Sequence, residues 1–94
     1  MSTDVYRQMA INIIREQEII IGPIAVEQAG RVNGLTVNWK HHDVSFTGNE
    51  IKIVENLIEK YRDFFGQVSV EVCKNAVKNL LSDLPAKERP ALLR

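Results

Sequence analysis

The sequence contains a single cysteine, Cys73, and no apolar run longer than Ile19 to Ile21. One cysteine excludes an internal disulfide and is typical of proteins from reducing compartments. A run of that length is far below the roughly 20 residues that a membrane-spanning helix needs. Asp4 and Arg7 precede the first apolar run, so we expect no signal peptide. These absences predict a cytoplasmic protein without a membrane partner.

The chain also lacks an excess of either charge. Lysine and arginine number 12, aspartate and glutamate also number 12, and the net charge is zero. A balanced chain has no overall attraction for nucleic acid, so we expect nucleic acid to be an unlikely main partner. It also has little charge repulsion against self-association, which favours an oligomer. With 94 residues and 45% hydrophobic content, the chain is long enough for one globular domain, residues 1–94.

An internal repeat is the most informative pattern that is present. Residues 12–33 align without a gap on residues 56–77 after a shift of 44 positions. Five of the 22 aligned positions are identical, and they are Asn12 and Asn56, Ile14 and Ile58, Gly22 and Gly66, Val26 and Val70, and Glu27 and Glu71. The remaining matches lie largely on apolar positions. We interpret the two stretches as copies of one helix–Gly–helix unit.

Apolar residues recur at helical spacing on both sides of each glycine. This periodicity predicts four amphipathic helices, at about 4–21, 23–32, 50–65 and 67–84. Their inward stripes are expected to include Ile20, Ile24 and Val68. Gly22 and Gly66 are expected to end the first and third helices, because glycine readily adopts the left-handed conformation found at helix ends.

The period changes to two between the repeats. Apolar residues alternate with polar ones at Leu35, Val37 and Trp39, and again at Val44 and Phe46. This alternation predicts two short strands joined by a turn near 41–43. Trp39 and Phe46 are expected to contribute most to the core of this segment. Either Thr47 paired with Glu50, or Asn49, is expected to cap the third helix.

The expected fold is therefore mainly α within the α+β class. It consists of two helix–Gly–helix hairpins in a pseudo-twofold repeat, with a short β-hairpin insert between them. The first repeat covers 4–33, the insert 34–48, the second repeat 49–84 and a C-terminal tail 85–94. Four packed helices would form the core.

Candidate catalytic and metal-binding residues are few. His41 and His42 are a metal-site alternative, but adjacent residues of a strand point to opposite faces, so we favour an exposed turn. Cys73 lies on the apolar stripe of the fourth helix, where we expect a small hydrophobe rather than a nucleophile. Glu27 and Glu71 occupy equivalent repeat positions, and we expect solvated surface charges there. We predict no enzyme and no cofactor.

Two surfaces remain as binding candidates. The apolar stripe of the third helix is wider than one packing partner requires, which favours an interface at Ile53, Leu57, Tyr61 and Phe64. Basic residues near the C-terminus offer a nucleic-acid alternative at Lys74, Lys78, Lys87 and Arg89. Asp83 and Glu88 interrupt that group, and no aromatic residue is interleaved for base stacking.

The segment Ile21 to Ala25 and the region from Phe65 to the end of the chain carry a family resemblance. Ile21, Gly22, Pro23, Ile24 and Ala25 match a short segment found in small helical accessory domains of bacterial serine/threonine kinases and related signalling proteins. Phe65, Gly66, Val68 and Ser69 resemble it in the second copy, and Leu84, Pro85, Glu88 and Arg89 resemble the tail of such domains. The resemblance implies a non-catalytic regulatory or docking module.

The leading hypothesis is thus a protein–protein interaction module of bacterial signalling type. It would form a homodimer through its helices, or bind another signalling protein. A small transcription-associated nucleic-acid binder and a ligand or metal sensor at His41 and His42 are the alternatives.

Overall fold

The computed structural model describes residues 2–93, with side chains from Asp4 onward. It is mainly helical, with four α-helices and one two-stranded antiparallel sheet. The helices and strands are α1 (Ser2–Ile21), α2 (Ile24–Ala29), β1 (Leu35–Asn38), β2 (Asp43–Phe46), α3 (Glu50–Phe65) and α4 (Gln67–Leu81). A three-residue 3₁₀ turn at Trp39–His41 joins β1 to β2, and two more come after α4, at Ala86–Glu88 and Ala91–Leu93. The predicted mainly helical fold with two short strands is confirmed, whereas α2 and α4 end three residues before their predicted limits.

The two long helices that precede the bends, α1 and α3, each end at a glycine with positive φ. Gly22 has φ +77° and Gly66 has φ +81°, a region that residues with a Cβ rarely adopt. The Gly22 N–H donates to the Glu18 carbonyl at 2.8 Å, and the Gly66 N–H donates to the Arg62 carbonyl at 2.7 Å. Each bend therefore completes the last turn of one helix and starts the next helix almost at once.

The core lies where α1 packs against the other three helices. Side chains from every helix and both strands contribute to it, including Met9, Ile13, Ile14, Ala25, Ala29, Leu35, Val44, Val54, Leu57, Ile58, Tyr61, Val70, Cys73 and Val77. The helical spacing of these residues is the reason the chain folds into amphipathic helices with one shared interior.

The small sheet is held on α1 rather than standing alone. Leu35 pairs with Phe46 and Val37 with Val44 in antiparallel register. The Arg7 guanidinium of α1 donates to the Asp43 carboxylate of β2 at 2.6 Å. A two-stranded sheet is only marginally stable in water, so these contacts with the helices are what keep it folded.

Trp39 departs from the predicted strand. The first strand ends at Asn38, and Trp39 begins a 3₁₀ turn in which its indole N–H donates to the Glu18 carboxylate at 3.1 Å. Trp39 and Phe46 are half-buried at the edge of the core rather than its main members. The indole needs a polar partner for its N–H, and Glu18 supplies it at the surface of α1.

The residues before α3 and after α4 are fixed by hydrogen bonds. The Asn49 side chain accepts from the Lys52 N–H at 2.9 Å, so Asn49 caps α3. In the tail, the Tyr6 hydroxyl donates to the Glu88 carbonyl, and the Ala91 N–H donates to the Glu55 carboxylate at 2.8 Å. The tail thereby lies against the helices.

None of the described helices is both long and apolar enough to cross a bilayer.

Candidate interaction surface

Three of the four residues predicted to form an interface are inside the core. Ile53, Leu57 and Tyr61 are buried, and Leu57 and Tyr61 have no exposed surface. The wide apolar stripe of α3 is covered by other parts of the same chain, because α1, α2 and α4 all pack against this helix. The predicted interface is therefore corrected for these three positions: their side chains do not form a surface. Phe64 is different, since 54% of it is exposed.

The exposed large hydrophobic side chains of the described chain are concentrated at the two bends. Each lies within three residues of Gly22 or Gly66, and they are Ile19 (72% exposed), Ile20 (60%), Ile24 (37%), Phe64 (54%) and Val68 (72%). We call these five residues the bend surface. The predicted inward orientation of Ile20, Ile24 and Val68 is wrong, because these side chains are exposed rather than packed in the core.

Two buried hydrogen bonds place both bends at the same end of the fold. The Gln17 amide near the end of α1 donates to the Ser69 carbonyl in the first turn of α4 at 3.1 Å. The Tyr61 hydroxyl near the end of α3 donates to the Ala25 carbonyl in the first turn of α2 at 2.6 Å. Each donor lies five residues before the bend glycine, which is about 7.5 Å along the helix at 1.5 Å per residue. The five apolar side chains therefore share one end of the molecule.

The two hydrogen bonds are related by the same 44-residue shift as the sequence repeat. Gln17 corresponds to Tyr61, and Ala25 corresponds to Ser69. Two surface clefts follow the same relationship. One cleft is lined by five residues: Asn12, Arg15, Glu16, Asn75 and Ala76. All five have counterparts in the lining of the other cleft, at Asn56, Glu59, Lys60, Arg31 and Val32.

The buried thiol and phenol groups near these hydrogen bonds hold their protons more tightly than usual. Burial raises the pKa of the Cys73 thiol to about 12, although the Gln17 amide that contacts its sulfur at 3.6 Å opposes the shift. Burial likewise raises the pKa of the Tyr61 hydroxyl well above its ordinary value. Both groups are therefore protonated at neutral pH, and Cys73 is a poor nucleophile.

The two histidines lie at an exposed turn of the backbone. His41 and His42 are exposed, and His42 has a left-handed backbone with φ 49°. The His42 ring contacts the Trp39 ring edge-on, with 5.0 Å between ring centroids. Among residues 2–93, no group of three or more histidine, cysteine, aspartate or glutamate side chains is arranged to hold a metal ion.

The two glutamates at equivalent repeat positions are both exposed. Glu71 lies 3.5 Å from the Lys74 ammonium, one helical turn further along α4. Glu27 follows the Gly22 bend in the first turn of α2, where a negative charge is favourable. Their exposure agrees with the expected solvated surface charges.

The structure brings most of the predicted basic residues together. Lys74, Lys78 and Arg89 line one depression between α4 and the tail, whereas Lys87 is exposed and does not line it. Leu81 and Leu93 also line this depression, as does Glu71 at the position of its ion pair.

Comparison with protein-family models, with curated proteins and with solved structures finds no match to this chain.

Sequence reasoning missed Ile19 as an exposed residue and assigned Ile20, Ile24 and Val68 to the interior. One signal was present: residues 19–26 and 64–70 contain no ionisable side chain. Uncharged stretches across two bends are unusual for solvated helix ends, and they mark the bend surface.

Proposed function

We propose that this chain is a non-enzymatic protein–protein interaction module that self-associates through the bend surface. The observation that carries the proposal is the concentration of exposed isoleucine, phenylalanine and valine at one end of the fold. Scattered single hydrophobic residues are normal on protein surfaces, but a group of five at one end is typical of an interaction site.

The size of the bend surface supports a modest interface. Five side chains of this kind at these exposures present on the order of 500 Å² of apolar area, comparable to the largest patch on a typical monomer. A specific interface removes about 800 Å² from each partner, with an apolar centre and a polar rim. The bend surface is large enough for such a centre. We therefore expect a reversible dimer rather than an obligate one.

The charge pattern favours a second copy as the partner. Residues 19–26 and 64–70 carry no ionisable side chain, so two bend surfaces meet without like charges at their centre. The chain as a whole has zero net charge and does not repel itself. A twofold dimer uses the same patch on both chains, which this pattern permits.

We further infer that residues 4–33 and 49–84 are two copies of one unit related by a pseudo-twofold axis. The matched bends, the matched hydrogen bonds and the matched clefts support this interpretation. Under it, each copy supplies one apolar bend, and the two bends together form the docking surface. The insert at 34–48 has no counterpart.

A regulatory role in bacterial signalling is supported by the resemblance of Ile21 to Ala25 to a segment of kinase accessory domains. Cys73, buried and unpaired, suits the reducing conditions of the cytoplasm. We propose that the module acts there as a docking or regulatory unit, either on its own copies or together with another signalling protein.

Sedimentation velocity between 1 µM and 1 mM tests the proposal. The wild-type chain should shift from monomer toward dimer as its concentration rises. Ile20→Gln with Phe64→Gln should remain monomeric throughout, with an unchanged helical circular dichroism spectrum. Ala91→Gln, an exposed position in the tail, serves as the control and should dimerise like the wild type. A wild-type chain that stays monomeric at every concentration would overturn self-association.

A further inference from the structure

The depression between α4 and the C-terminal tail has features that the bend surface does not share. We propose that it binds an amphiphilic anion, meaning a carboxylate or phosphate group carried on a short apolar chain. The depression is an open surface concavity of about 510 Å³, lined by α4 on one side and by the tail on the other. This volume is within the range of about 300 to 1,000 Å³ that is usual for small-molecule sites.

Three cationic side chains line the depression. Lys74 and Lys78 are four residues apart on α4, so they lie on the same face of the helix. Arg89 reaches the depression from the tail. Glu71 is the single acidic residue of the lining and lies beside Lys74. In a chain of zero net charge, this lining has an excess of positive charge, which favours an anionic group.

The apolar part of the lining distinguishes an amphiphile from a simple ion. Leu93 is buried and Leu81 is half-buried, and both contribute to the depression. An apolar chain of a few carbons would contact these leucines while its charged group stays near the lysines. None of the lining residues is aromatic, which is what single-stranded nucleic acid would use for base stacking.

The tail side of the depression is held in place before any ligand arrives. The Arg89 side chain donates from Nε to the Leu84 carbonyl at 3.0 Å, which fixes the direction of its guanidinium. The Ala91 N–H donates to the Glu55 carboxylate of α3 at 2.8 Å, and the Tyr6 hydroxyl donates to the Glu88 carbonyl. A preorganised wall lowers the ordering cost of binding.

Titration with octanoate, followed by amide NMR shifts, tests the site. Octanoate should shift signals from residues 71–81 of α4, from Ser82 and from the tail. Acetate, which lacks the chain, and octanol, which lacks the charge, should each bind at least tenfold more weakly. Equal binding of octanoate and acetate would overturn the apolar part of the site, and equal binding of octanoate and octanol would overturn the charged part.

Variants separate this site from other surfaces of the chain. Lys74→Gln with Lys78→Gln should weaken octanoate binding at least tenfold, whereas Lys40→Gln, an exposed lysine of the 3₁₀ turn after β1, should not change it. A single-stranded oligonucleotide that binds wild type more tightly than octanoate, and loses binding in the double variant, would overturn the proposal in favour of nucleic acid. Shifts centred on residues 19–24 and 64–68 would also overturn it, since octanoate would then occupy the bend surface.

Discussion

Gln17 and Tyr61 perform the same structural task 44 residues apart. Each lies in the last part of a long helix, is fully or almost fully buried, and donates a hydrogen bond to a backbone carbonyl of the other half of the chain. The acceptors, Ser69 and Ala25, both lie in the first turn of the helix that follows a bend. The two bonds therefore link the halves in opposite directions and hold both bends at one end of the fold.

Removing either bond should destabilise the fold by a similar amount. Tyr61→Phe and Gln17→Met each keep the volume of the buried side chain and remove its donor. A net hydrogen bond contributes about 1 kcal/mol, so each variant should lower the free energy of unfolding by about that amount. Chemical denaturation followed by circular dichroism measures both values. A loss confined to one of the two variants would contradict the equivalence of the bonds.

Gln28 provides the matched control for those variants. It is also a buried glutamine, but its Oε1 atom has no hydrogen-bond partner among the described residues. Replacing an unsatisfied buried acceptor with an apolar side chain of similar shape is neutral or stabilising. Gln28→Met should therefore leave the free energy of unfolding unchanged or raise it. A loss as large as that of Gln17→Met would show that volume, rather than hydrogen bonding, determines these effects.

Helical periodicity and the two glycines were sufficient to predict the four helices and their bends, and the predicted range of α3 is the observed one. The same periodicity misplaced Ile20, Ile24 and Val68. The apolar periodicity of a helix predicts which face of it is apolar. It does not predict whether another helix extends far enough to cover the end of that face. Only the folded structure shows that these three side chains remain exposed at the bends. The contacts of Tyr61 with Ala25 and of Trp39 with Glu18 likewise depend on tertiary placement, which local pattern does not encode.

Leu57 and Phe64 lie seven residues apart on α3, and the structure gives them opposite roles. Leu57→Asp places a charge in the fully buried core, where an unpaired carboxylate is severely destabilising. We expect this variant to lose cooperative thermal unfolding. Phe64→Asp changes an exposed side chain, so it should stay folded and lose self-association. Circular dichroism melting and sedimentation velocity on both variants measure the two effects; a folded Leu57→Asp would contradict the placement of α3.

Gly34 should tolerate alanine much less well than Gly22. A Cβ at Gly34 would lie 2.7 Å from the Thr47 carbonyl oxygen and 2.9 Å from Ile53 Cδ1, whereas a Cβ at Gly22 would meet nothing within 4 Å. Both glycines have positive φ, so both alanine variants carry the left-handed penalty of about 1 kcal/mol. Gly34→Ala adds a clash with backbone that leads into α3, and we expect at least about 2 kcal/mol in total. Equal losses of unfolding free energy in the two variants would contradict the close approach.

Cys73 should make the fold less stable at alkaline pH. Its thiol has an ordinary pKa of 9.0 that burial raises to about 12 in the folded chain. Between these values the folded chain keeps the proton and the unfolded chain loses it, so stability falls as pH rises. The slope approaches about 1.4 kcal/mol per pH unit above pH 9. The contribution is fully present below pH 9 and is lost as the pH approaches 12.

Guanidinium unfolding at pH 8, 9 and 10 measures this slope, and Cys73→Ala separates it from Tyr61, whose unfolded hydroxyl, with an ordinary pKa of 10.0, begins to ionise at the top of this range. Between pH 8 and pH 10 the wild-type chain should lose about 1.4 kcal/mol more than Cys73→Ala, although that variant is less stable at every pH. A thiol reagent gives an independent readout, because native Cys73 is buried and protonated and should react only after unfolding. Rapid labelling of the native chain at pH 8, or identical slopes for wild type and Cys73→Ala, would contradict the buried position of this thiol against Gln17.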